Sequence, residues 1–71
     1  NNMLVKTVLR RNKNCNWVKI YQQQKLSGGT IKSLISNYPM YCYNGDEYFS
    51  HMKVLAYGYD PVDKVLEIWV K

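Results

Sequence analysis

The stretch that decides the fold class is MKVLAYGYDPVDKVLEIWVK, residues 52–71. Residues 52–59 and 64–71 are rich in β-branched and aromatic side chains and read as strands. Asp60-Pro61-Val62-Asp63 between them is turn chemistry: proline presets its φ, and an aspartate carboxylate accepts from backbone N–H groups just ahead of it. Two strands about such a turn form an antiparallel hairpin. With ordinary register, Val54 and Ala56 share a face with Leu66, Ile68 and Val70. The opposite face then carries Lys53, Leu55, Tyr57, Tyr59, Glu67, Trp69 and Lys71.

Upstream, residues 41–49 hold Asn44-Gly45 between aromatic flanks, which predicts a short hairpin with both turn residues at positive φ. A helical turn over residues 46–51 is the competing expectation. Ile31, Leu34, Ile35 and Tyr38 fall at i, i+3, i+4 and i+7 and predict a helix. Ser27 would be its N-cap, Leu26 and Ile31 its hydrophobic staple, and Pro39 its stop. Residues 17–24 (WVKIYQQQ) alternate, with Val18 and Ile20 on one side and Trp17, Lys19 and Tyr21 on the other. Residues 3–11 (MLVKTVLRR) read as a further strand paired to it, across the polar Asn12–Asn16 stretch.

The expected architecture is α+β: a small antiparallel sheet of about five to six strands in β-β-α-hairpin-β-β order, with one helix packed on one face. This order resembles the β-grasp fold as an arrangement of elements, and a small SH3-like or OB-like barrel is its structural rival. At 71 residues the chain has room for one domain, 1–71, with 46% hydrophobic and 14% aromatic residues to build its core. Met3 behind Asn1 and Asn2 reads as a start codon preceded by added residues, or as the edge of a trimmed domain.

Catalysis is not expected. His51 is the only histidine, and no Ser or Cys stands in a nucleophile context with a base and an orienting acid. Asp46, Asp60 and Asp63 lie in expected turns, where they satisfy local N–H groups. Cys15, Cys42 and His51 form no metal-ligand spacing, so neither metal nor cofactor is expected. Two distant cysteines make free thiols in a reducing, cytoplasmic setting the first expectation and a single Cys15–Cys42 bridge the alternative, and no apolar run reaches membrane-spanning length. Ser27-Gly28-Gly29-Thr30 could hold a phosphate at a helix start, but it lacks the Walker spacing and reads as a capping turn. Residues 54–59 and 65–70 resemble the closing hairpin of small RNA-cleaving toxins of the RelE type. The upstream helical hairpins of those toxins have no counterpart here, and no basic catalytic set follows the last strand.

One constellation remains. If a helix covers the aliphatic sheet face, the other face shows Trp17, Lys19, Tyr21, Lys53, Tyr57, Tyr59 and Trp69, rings interleaved with ammonium groups. Arg10, Arg11 and Lys13 add a compact basic cluster, within a net charge of +5. Such a surface suits a protein partner, because aromatics anchor interfaces. It also suits RNA or single-stranded DNA, whose bases stack on rings. A second core under the residue 41–49 hairpin is the structural reading of the same rings. The expectation is a non-enzymatic protein acting stoichiometrically on a macromolecule. A regulator or inhibitor of a host protein, of a kind phages encode, comes first; nucleic-acid binding is the alternative, and homodimerisation is compatible with both.

Overall fold

The computed structural model describes residues 3–71. Helix α1 (Val5–Arg11) is followed by strands β1 (Trp17–Leu26), β2 (Gly29–Pro39), β3 (Val54–Asp60) and β4 (Val65–Val70). Two single 3-10 turns, Met40–Cys42 and Tyr48–His51, lie between β2 and β3. The strands lie side by side in the order β2-β1-β4-β3. The central pair β1/β4 is parallel and the flanking pairs are antiparallel. The described residues thus form a small α+β domain with one α-helix and a four-stranded mixed sheet.

The first element differs from expectation: residues 5–11 are helix, not strand. Both periods fit this segment, since Met3, Val5, Thr7 and Leu9 alternate while Val5, Val8 and Leu9 also fall at i, i+3 and i+4. Burial decides between them. As a helix the segment turns Val5, Val8 and Leu9 onto one face, and all three are fully buried. That gain, ~1.5–3 kcal/mol per side chain, exceeds the modest cost of β-branched residues in a short helix. The Asn12 amide donates to the Val8 carbonyl at 2.8 Å and closes the helix end. Arg10 and Arg11 occupy its last turn, where cations are favoured.

The expected helix at residues 27–38 is instead β2. Ser27 and Gly28 form the two-residue loop of a long hairpin in which Leu26 faces Gly29. Gly29 has φ +142°, a conformation that side-chain-bearing residues rarely adopt. The misleading period has a specific cause. Between the pairs Ile20/Ser36 and Tyr21/Leu34 the register shifts by one residue, which leaves Ile35 as a bulge. The inserted residue lets Ile35 and Tyr38, three positions apart, both pack against the core. A bulged strand therefore imitates helical spacing.

The expected hairpin over residues 41–49 is absent as well. Gly45 has the positive φ, +92°, but Asn44 does not. The loop is organised by side chains: the Glu47 carboxylate accepts from the Asn44 and Gly45 N–H groups, and Asn44 Oδ1 accepts from Asp46 N. The competing helical-turn reading is close to the Tyr48–His51 turn, which inserts Phe49 into the core. These changes remove the β-β-α-hairpin-β-β order, the wholly antiparallel sheet and any barrel closure.

The closing hairpin follows expectation in its strands and its turn, where Asp60 Oδ1 accepts from Val62 and Asp63 N–H. Its register does not. A shift between Val54 and Ala56 leaves Leu55 unpaired, so that Tyr57 stands opposite Ile68, Tyr59 opposite Leu66, and Ala56 opposite Trp69. Residues directly opposite one another share a face. Tyr57 and Tyr59 consequently lie on the helix side of the sheet, and Ala56 lies on the other.

The core sits on that helix side. Val18 and Ile20 of β1 and Leu66, Ile68 and Val70 of β4 are fully buried against Val5, Val8 and Leu9, with Cys15 and Phe49 closing the cluster. No helix among the described residues is long and apolar enough to cross a membrane.

Candidate nucleic-acid interface

Alternation along β1 sends Val18 and Ile20 into the core and Trp17, Lys19, Tyr21, Gln23 and Lys25 to the reverse face. Register carries that division across the sheet. Lys32 stands opposite Gln23, Leu34 opposite Tyr21, Glu67 opposite Lys19, and Trp69 opposite Tyr21. All lie on the face that α1 leaves bare. Trp17 is 37% exposed, whereas Tyr21 and Trp69 are half-buried.

The side chains of this face hold one another in place. The Tyr21 and Trp69 rings stack, with centroids 5.8 Å apart and planes 16° apart. The Lys32 ammonium sits 5.3 Å from the Trp69 ring centroid, a cation–π distance. The Tyr21 hydroxyl donates to Glu67 Oε2 at 3.1 Å. Desolvation, then the hydrogen bond to Glu67 and the charge of Glu67, push the Tyr21 phenol above its ordinary value. The Trp17 indole N–H donates to Asn37 Oδ1. The polar ends of these aromatics are thereby satisfied, and Glu67, the carboxylate facing Lys19, is engaged locally.

Charge is segregated along the chain. All five Asp and Glu lie at or after Asp46, whereas seven of the ten Lys and Arg precede it. The three lysines of the β1–β2 hairpin, Lys19, Lys25 and Lys32, all fall on the bare face.

Of the residues singled out by sequence, Trp17, Lys19, Tyr21 and Trp69 come together here. Tyr57 and Tyr59 do not, because of the Leu55 bulge. Lys53 precedes β3 and faces Leu4 in an isolated bridge, outside this surface. Arg10, Arg11 and Lys13 lie at and beyond the end of α1, on the opposite side of the sheet. Lys25, Lys32, Asn37 and Glu67 were not among the expected site residues. Alternation carried past Gln24 would have found Lys25; Lys32 was hidden by its assignment to a helix.

Cys15 is buried and Cys42 exposed, and both are free thiols. Burial raises the Cys15 thiol pKa. No cluster of three or more metal-ligating side chains occurs among the described residues. Comparison with protein-family models, with curated proteins and with solved structures finds no match for the chain.

Proposed function

We propose that this protein is a non-catalytic binding domain that holds single-stranded RNA or DNA on the bare face of its sheet. The observation that carries the reading is the convergence of Lys19, Lys25 and Lys32 with the rings of Trp17, Tyr21 and Trp69 on one face. Unstacked bases offer π faces to such rings whatever their sequence, and lysines neutralise the phosphates between them. In the free protein Lys32 covers the Trp69 ring. A base that stacks on Trp69 displaces this ammonium, which is then free to meet the adjacent phosphate. A duplex keeps its bases stacked inside, so it gains only the phosphate contacts.

The test is fluorescence anisotropy of a labelled ten-nucleotide oligouridylate and of a duplex of equal length at several salt concentrations. Tighter binding of the single strand, weakened by salt and by Trp69→Ala, is expected. Equal or absent binding of the two contradicts the reading.

A second reading, a regulator or inhibitor docking on another protein, is favoured by different features. β2 is an open edge strand, and Leu26, Ile31 and Leu34 are exposed along its hairpin. A complex recovered from cell extract that survives nuclease treatment and is lost in Ile31→Lys supports this alternative over the first.

A further inference from the structure

Tyr59 and Arg11 come together on the helix side of the sheet, where with Asn12, Asn14 and Cys15 they line a hollow of about 270 Å³. The Leu55 bulge is what brings Tyr59 there, since unshifted alternation would turn it to the bare face. The Tyr59 ring is 42% exposed, Arg11 and Asn14 are exposed, and Cys15 is neutral and buried. Arg10 and Lys13 flank Arg11 in sequence, and the chain has no acidic residue before Asp46. Asp60, next to Tyr59, is the nearest carboxylate in sequence; its Oδ1 accepts from Val62 and Asp63 N–H within the turn.

The hollow lies at the end of the sheet where the bare face also begins. Tyr59 stands opposite Leu66, which stands opposite Val18, so these three residues form one row across β3, β4 and β1. Trp17 belongs to the next row and points to the other face. The backbones of Tyr59 and Trp17 are thus two strand spacings apart, roughly 10 Å, and their side chains project from opposite faces of the same sheet end. Because the two rings point away from each other, a connecting strand must cover that spacing plus the depth of both side chains, which takes several nucleotides.

We propose that the Arg11/Tyr59 hollow is a second subsite for the same single-stranded nucleic acid, taking a phosphate on Arg11 and a base on Tyr59 after the strand rounds the sheet end at Trp17. The inference rests on the proposed function of the bare face. The exposed Asn14 amide supplies a donor and an acceptor for a base edge, while the Asn12 amide is held by the Val8 carbonyl; the guanidinium supplies a bidentate phosphate contact that lysine does not. A short oligonucleotide fills the bare face alone, and a longer one reaches both sites.

The test compares oligouridylates of four and ten nucleotides on the full chain, with circular dichroism showing that each variant keeps its fold. The double variant Arg11→Ala/Tyr59→Leu should weaken the ten-mer about tenfold and leave the four-mer within about twofold. Trp69→Ala should weaken both lengths. If the double variant changes neither length, or changes both equally, the second subsite is wrong while the bare-face reading stands on Trp69→Ala. If Arg11→Ala alone weakens the ten-mer, Tyr59→Leu alone does nothing and heparin competes equally, the hollow is only a general polyanion surface and the subsite is likewise overturned. If wild type binds neither length, both ideas fall together.

Discussion

Tyr21 and Trp69 stand opposite each other on the two parallel central strands, and their rings stack 5.8 Å apart. The pair draws Lys32 over one ring and hands the Tyr21 hydroxyl to Glu67. A ring platform fixed in this way loses little side-chain freedom when a ligand lands on it, which is the physical basis of pre-organised recognition.

Removal of one ring should therefore cost affinity more than stability. Trp69→Ala is expected to weaken oligouridylate binding about 5- to 150-fold, the equivalent of one lost stacking contact of ~1–3 kcal/mol. Anisotropy titration with circular dichroism as a fold control checks this. A variant that unfolds would place Trp69 in the core instead.

Salt dependence separates phosphate contacts from stacking. If Lys19, Lys25 and Lys32 each neutralise one phosphate of the four-mer, its log Kobs should fall with log salt at a slope of about −2. Lys32→Gln should make the slope shallower by about 0.7, whereas Trp69→Ala should leave it unchanged. Titrations at three or four salt concentrations resolve the difference.

The opposite pattern is expected beneath the helix. Leu9→Ala removes a fully buried side chain between α1 and the sheet and should cost about 2–5 kcal/mol. Trp17→Ala, on the bare face, should cost under about 1 kcal/mol. Urea midpoints of the two variants decide whether the buried face is the one assigned.

Alkaline pH should loosen the fold. Folding raises the pKa of the Cys15 thiol and of the Tyr38 phenol, in both cases chiefly by desolvation. A raised folded-state pKa favours the protonated form, so the stabilisation is complete below the ordinary value. As pH climbs past 9.0 for the thiol and 10.0 for the phenol, the unfolded chain ionises first and stability declines. Thermal unfolding between pH 7 and 11 should show Tm falling above pH 9, with a smaller fall in Cys15→Ala. A flat profile contradicts the assignment of both groups to buried sites.

Much of the fold was legible where one period dominated. The β1 segment from Trp17 and strand β4 have clean alternation, and they are the two central strands. Elsewhere, local pattern was ambiguous and distant packing decided it. Residues 3–11 satisfy both periods, through Met3, Val5, Thr7 and Leu9 or through Val5, Val8 and Leu9, and only the sheet beneath them selects the helix. Over residues 41–49 the Glu47 carboxylate and Asn44 side chain organise a loop where Asn-Gly predicts a hairpin, and the two bulges account for the helix at residues 27–38 and for the register of the closing hairpin. At Ile35 an extra residue reproduces a helical stripe within a strand, and at Leu55 it sends Tyr57 and Tyr59 to the face opposite Trp69. A single inserted residue leaves no compositional trace, yet it reverses every side chain after it. Three of the five expected rings, Trp17, Tyr21 and Trp69, share a face because β1 and β4 pair without interruption from Trp17 to Gln22.

The most direct measurement is a titration of isotope-labelled protein with oligouridylate, followed by amide and indole chemical shifts. The account predicts early, saturable shifts at Lys19, Tyr21, Lys32, Glu67 and the Trp17 and Trp69 indoles, with Val5, Val8 and Leu9 little changed. Saturation at low salt with those bare-face signals unmoved would contradict it.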